Sequence, residues 1–134
     1  MSQAGPIRIV AALVGDGAGR ALLVRKHGSD TFIQPGGKRE PGEDALVTLA
    51  RELREELGTG IVPGSTRRLG EFEHVAVNEP GRRVQAEVFA VALDGEPLAQ
   101  AEIAELRWLP AAPPWPVPVA PLSAECILPL LAGT

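Results

Sequence analysis

A chain of 134 residues with 45% hydrophobic content has enough apolar material for one core, so a disordered chain is excluded and a single domain over residues 1–134 is expected. A formal net charge of −4 argues against stable nucleic-acid binding, which wants a basic surface, but not against a nucleotide, whose bound cations reverse the local field. One cysteine, Cys126, rules out an internal disulfide, and no signal-peptide pattern or run near 18 apolar residues is present; a cytoplasmic protein without a membrane segment is expected.

Ile7 to Val14 is a nearly continuous apolar run rich in β-branched residues, which predicts a buried strand. Gly15 to Gly19 is a turn, and Ala21 to Val24 is the return strand of a hairpin, ending in Arg25-Lys26-His27. Phe32-Ile33 is a short strand fragment running into Gln34-Pro35-Gly36-Gly37, where the glycines permit positive φ and close backbone approach. A helix is predicted from Gly42 or Glu43 to Leu57, with Leu46, Leu49, Ala50, Leu53 and Leu57 as its apolar stripe, the glutamates off that stripe, and Gly58 as its stop. Arg67 to Asn78 and Arg82 to Leu93 read as two long strands around a Glu79-Pro80-Gly81 turn, in a sheet covered on both sides. Ala99 to Leu109 carries Glu102, Glu105 and Trp108 in a loop before a final short strand. Pro110 to Pro121 is an extended surface connector, and Leu122 to Leu131 a short C-terminal helix. This order predicts an α/β fold, an α/β/α sandwich with a mixed sheet.

Within the first helix Glu52, Glu55 and Glu56 stand at i, i+3 and i+4 and project from one face. Like charges at this spacing repel, and no lysine is interspersed to relieve them. The bland reading is a solvated acidic face with Arg51 paired to Glu55. The chemical reading is a site for a hard divalent cation, because Mg²⁺ takes oxygen ligands from one or two carboxylates and leaves the rest to water or phosphate.

The spacing extends the pattern. Gly37 is followed after five residues by Glu43, then after seven by Arg51-Glu52-Leu53, with Arg54 before Glu55-Glu56 and Leu57 before Gly58. This resembles the Nudix box, G-x5-E-x7-R-E-U-x-E-E-x-G-U, in which U is aliphatic. Every specified position matches except the last, where Thr59 stands; that departure bears on packing after the helix and not on the metal ligands. The box covers 23 residues, and the surrounding elements extend the likeness to nearly the whole chain. The resemblance implies the Nudix-type sandwich and a Mg²⁺-dependent (or Mn²⁺-dependent) hydrolase. It implies Glu52, Glu55, Glu56 and the Gly37 carbonyl as metal ligands, with Glu43 and Arg51 orienting them.

The general base varies among relatives of this kind. Glu52 is one candidate, and a loop glutamate, Glu102 or Glu105, is the other. Arg25, Lys26 and Lys38 are candidates for holding the phosphates, against a reading as solvated cations at strand ends. His27 and His74 lack metal-ligand spacing, Trp108 fits the core better than a stacking role, and Cys126 reads as a buried, inert thiol.

The expected substrate is a nucleoside diphosphate joined to a further group, most simply a nucleoside triphosphate as in the MutT-type branch. The compact length favours that branch. The chain has no tyrosine, the marker typical of the dinucleoside polyphosphate branch, and Pro80 comes too late to match the ADP-ribose branch's proline. A nucleotide sensor without turnover and an enzyme acting on ADP-ribose or a nucleotide sugar are the rival readings. A monomer and a homodimer are both compatible with the sequence.

Overall fold

Alternation along the first two strands organises the molecule. In the computed structural model, which describes residues 5–133, β1 (Ile7–Leu13) and β2 (Arg20–Lys26) follow one another but lie in different sheets, so the expected hairpin is reduced to a bridge between Gly15 and Ala21 and a bond from Leu22 N–H to Val14 O. Their even-numbered residues Val10, Ala12, Leu22 and Val24 enter one apolar cluster, and their odd-numbered residues Ala11, Leu13, Ala21 and Leu23 enter a second. Successive side chains on a strand point to opposite faces, so a continuous apolar run serves two cores at once.

The remaining strands are β3 (Phe32–Ile33), β4 (Gly36–Lys38), β5 (Gly60–Ile61), β6 (Arg67–Val75), β7 (Arg83–Ala90), β8 (Leu93–Asp94) and β9 (Ile103–Pro110). One sheet has the order β4-β1-β7-β6 and a second β3-β2-β9, with β5-β8 as a small ribbon. The sheet is mixed: β1 runs parallel to β7 and antiparallel to β4. Helix α1 (Ala45–Leu57) covers the even face, and a C-terminal helical segment covers the odd face, which completes an α/β/α sandwich.

The helix differs in detail from its sequence reading. It starts at Ala45, because the Asp44 side chain accepts from the Val47 N–H at 2.9 Å and caps the first turn, while Glu43 turns away to other partners. Gly58 ends it in the left-handed conformation at φ 71°. Leu46 and Ala50 are exposed; the buried stripe is Ala45, Thr48, Leu49, Leu53, Glu56 and Leu57. Each fully buried leucine of this stripe contributes about 1.5–3 kcal/mol.

Other bounds shift as well. The two long strands stop at Val75 and Ala90, the latter separated from β8. The stretch read as a loop before a short strand is itself strand β9 from Ile103, so Glu105 and Trp108 lie in the sheet. The C-terminal helix is wider than α-helical over Leu122–Ile127 and tightens to 3₁₀ over Leu128–Gly133. The proline-rich connector is tied to β3: Phe32 N–H donates to Pro118 O and Ala120 N–H to Phe32 O. No helix among the described residues is long and apolar enough to cross a membrane.

Candidate active site

The site is built where β4 passes between β1 and the helix. β4 pairs with β1 in the register Val10 to Gly37 and Ala11 to Gly36. One step further, Ala12 N–H donates to Pro35 O at 2.9 Å, but Pro35 has no N–H to return to Ala12 O. The Gln34 side chain fills that gap, its Nε2 donating to Ala12 O at 3.0 Å. Gly36 has φ 147°, and a side chain there would run into the Val10 carbonyl. At Gly37 a Cβ would lie 2.6 Å from both carboxylate oxygens of Glu52. The two glycines thus let a helical carboxylate lie directly on the strand backbone.

Arg51 wires this contact together. Its Nε and Nη2 donate to the two oxygens of Glu43 at 2.7 and 2.9 Å, its Nη1 to Glu52 Oε2 at 3.0 Å, and its Nη2 also to the Lys38 carbonyl at 3.1 Å. Glu43 accepts further from Thr48 Oγ1 and the Glu40 N–H. The Arg51 hydrogen bonds, with those from Glu40 and Thr48, hold the Glu43 carboxyl down at about 2.

Glu52, Glu55 and Glu56 have different environments. Glu55 is exposed, with Arg51 Nη1 3.8 Å away. Glu56 is 7% exposed and accepts the Gly36 N–H at 3.1 Å. Burial, with the charges of Glu52 and Glu102 added, raises its carboxyl to about 8 although the Gly36 bond opposes the shift. Glu52 is also raised, chiefly by desolvation and against the pull of Arg51. The expectation that the glutamates lie off the buried stripe therefore fails for Glu56.

These groups line a cleft of about 460 Å³. Gly37, Lys26 and Lys38 line it as well, and Glu102 reaches it from a neighbouring loop. Backbone bonds from Leu98 N–H to Leu57 O and from Gln100 N–H to Glu56 O pin this loop to the end of α1. The Glu102 side chain is 81% exposed, 3.8 Å from Lys26 Nζ. Lys38 Nζ lies 3.6 Å from Glu79 of the β6–β7 turn. Aliphatic side chains, among them Ile7, Ile9, Ile33, Val84 and Leu122, line the wall together with the polar Gln34, Asn78, Glu79 and Ser123.

Arg25 and Glu105 are not brought to this cleft. Strand alternation sends Lys26 toward the helix face and Arg25 to the opposite one, where Arg25 pairs with Glu105 at 3.3 Å across β2 and β9. Trp108 packs against the helix-side cluster, His27 is exposed, and His74 pairs with Glu125. Cys126 is half-buried, and desolvation raises its thiol. The sequence reading passed over Gln34 and Glu79. The proline after Gln34 was the available signal, since it removes a strand donor that some neighbour must supply.

Among the described residues, no three carboxylate, histidine or cysteine groups are placed so that together they could hold a metal ion. The donor set still suits a hard cation. Glu56 and Glu52 are partly desolvated carboxylates, and the one arginine beside them, Arg51, bonds Glu52 but not Glu56. Mg²⁺ characteristically takes few protein oxygens and completes its shell with water and phosphate.

Comparison with known proteins identifies the family. The model of the NUDIX domain matches residues 5–127. The chain therefore belongs to the NUDIX domain family, a family of hydrolases. A MutT NUDIX hydrolase from Burkholderia pseudomallei superposes with a TM-score of 0.76 at 22% identity, covering 94% of this chain and 98% of that one. The E. coli ORF135 protein superposes at 0.69 with 31% identity, covering 96% and 87%. An RNA pyrophosphohydrolase from Halorhodospira halophila (strain DSM 244 / SL1) is 43% identical over 63 residues, which is 44% of this chain and 35% of that relative. The match thus spans about a third of the length of that curated relative.

Proposed function

We propose that this chain hydrolyses the phosphoanhydride bond of a nucleoside diphosphate derivative, in the first place a nucleoside triphosphate, with Mg²⁺ or Mn²⁺ as cofactor. The observation that carries this reading is the make-up of one cleft wall: the carboxylates of α1 and two lysines beside aliphatic side chains. A polyphosphate with an organic group attached has the matching polarity.

Glu52, Glu55, Glu56 and the Gly37 carbonyl would hold the cation. When bound, such an ion screens the phosphate charge and acidifies a water. Arg51, fixed by Glu43, keeps the Glu52 carboxylate from turning away from Gly37. Lys26 and Lys38 take phosphate oxygens once these displace Glu102 and Glu79. The proton of the attacking water goes to Glu52 or to Glu102, the loop glutamate that reaches the cleft. Release of a nucleoside monophosphate and pyrophosphate follows for a triphosphate.

The kinship to an RNA pyrophosphohydrolase favours a second substrate, the 5′-triphosphate end of an RNA. ADP-ribose, nucleotide sugars and a turnover-free sensor are further outcomes of the same experiment. Purified protein is incubated with nucleoside triphosphates, ADP-ribose, nucleotide sugars and a 5′-triphosphorylated oligoribonucleotide, with Mg²⁺ and with chelator, and products are identified by mass. Nucleoside monophosphate and pyrophosphate, formed only with metal, are expected. Full activity after exhaustive metal removal would sink the metal mechanism, and tight nucleotide binding without products would establish the sensor.

A further inference from the structure

We infer that Ala101 is a positioning residue that aims Glu102 at the cleft, an inference that rests on Glu102 as the group that takes the water's proton. Among the described residues Ala101 alone combines a side chain with a positive φ, 53°. The left-handed region is unfavourable for a residue that carries a Cβ. A residue stays there only where its surroundings fix the backbone from outside, and such positions gather at functional sites.

The surroundings of Ala101 do so from two sides. Gln100 N–H donates to Glu56 O at 3.0 Å, and Ile103 N–H donates to Gln100 O at 2.9 Å. The second bond closes a tight turn with Ala101 and Glu102 as its central residues. On the other side His27 N–H donates to Glu102 O at 2.9 Å. Glu56 lines the cleft, and so does Lys26, the neighbour of His27, so the turn is anchored to two segments that carry the site. A bulge follows directly. The register passes from Arg25 opposite Glu105 to Lys26 opposite Ile103, which leaves Ala104 with no partner on β2. In a regular strand Ile103 and Glu105 would share a face. Here Ile103 enters the helix-side cluster, while Glu105 stays with Arg25 on the opposite face.

Backbone aim matters because little else directs Glu102. Its side chain is 81% exposed, and its pair with Lys26 is a loose 3.8 Å. An exposed pair of this kind holds a side chain only weakly. With a negative φ at Ala101 the chain would leave the turn in another direction, and the carboxylate would leave the cleft with it.

The test uses the whole protein, Mg²⁺ and the nucleotide it turns over best. Ala101→Val disfavours the left-handed region further and should lower kcat by about 10-fold, with KM changed by less than about twofold. Ala101→Gly is free of the strain and should keep kcat within about twofold, with a Tm no lower than the parent's. Adding Ala101→Val to Glu102→Gln should change kcat by less than about twofold, because Ala101 acts only through Glu102. A purely structural role would not show that dependence. A 10-fold loss that recurs in full on the Glu102→Gln background overturns the inference. So does a folded Ala101→Val with parental kcat, or one that raises KM alone, which would mean that the added methyls only crowd the cleft. If Ala101→Val does not fold, Ala101→Gly decides: a Tm below the parent's shows that no strain is held there and overturns the inference. Parental kcat in Glu102→Gln would sink the reading of Glu102 as the base, and this inference with it. Absence of turnover with every nucleotide would sink the hydrolase reading itself.

Discussion

Two clusters of glutamate and arginine in this molecule have opposite electrostatic balance. On the face away from α1, Glu105 accepts from Arg25 at 3.3 Å and from Arg107 at 3.0 Å, two cations for one carboxylate. Its carboxyl is held below the ordinary range, first by Arg107 and then by Arg25. At the cleft, Arg51 is largely spent on Glu43 and shares one nitrogen with Glu52, while Glu56 has no arginine at all. The first cluster is complete as it stands. The second carries excess buried carboxylate, which a proton on Glu56 or an added cation balances. Composition cannot distinguish the two; the ratio of charges and their burial can.

The sharpest way to break this contrast is to remove the excess. Glu56→Gln keeps size and an oxygen for the Gly36 N–H but deletes the charge. Turnover should fall by on the order of 100-fold to 1,000-fold, as for loss of a major electrostatic contributor, with the fold retained. Steady-state kinetics beside a circular dichroism melt checks both halves. An unfolded variant would mark Glu56 as structural.

A smaller effect separates Glu102 from Glu105. Glu105→Gln should leave kcat within about twofold, since its charge serves a network of ion pairs remote from the cleft. Glu102→Gln should lower kcat with little change in KM if Glu102 takes the water's proton, and the acidic limb of the pH–rate profile should go with it. If neither change touches kcat, Glu52 is the base. A large loss at Glu105 would contradict its placement on the far face.

The contrast also has a pH signature in metal-free protein. The Glu56 carboxyl is raised to about 8 in the folded state, so folding favours its protonated form. That stability is fully present below the unfolded carboxyl's value, 4.5, and is lost as pH rises through about 8. Urea midpoints in chelator should therefore decline between pH 5 and 9 in the parent and stay nearly level in Glu56→Gln. A parent as flat as the variant would mean that Glu56 is not buried as described.

The smallest expected effect lies at the one departure from the motif. Thr59 is buried, 2% exposed, and its Oγ1 has no partner among the described residues. Thr59→Val restores an aliphatic group of the same shape and should stabilise the protein by about 1 kcal/mol, read as a higher urea midpoint at unchanged slope. A loss of stability would show that the hydroxyl is satisfied in solution.

Much of this site was legible in the sequence, because its spacing is local. The interval from Glu52 to Glu56 sets which side chains share a helix face, and Gly37 announces close backbone approach before any partner is known. The apolar runs at Ile7–Val14 and Ala21–Val24 likewise declare strands buried on both sides. What the sequence could not settle depends on neighbours distant along the chain. Lys26 and Arg25 are adjacent residues, yet which of them faces the carboxylates is set by the register of β2 on β9 and by which face α1 covers. Glu102 and Glu105 are three residues apart, but the backbone bonds of the Leu98–Gln100 loop to the end of α1 leave only the first at the cleft. The difference between exposed Glu55 and buried Glu56 arises from the Gly36 backbone against which the helix packs. Helical and strand periodicity decide which side chains can share a face; long-range packing decides what that face meets, because desolvation and charge come from the partner surface.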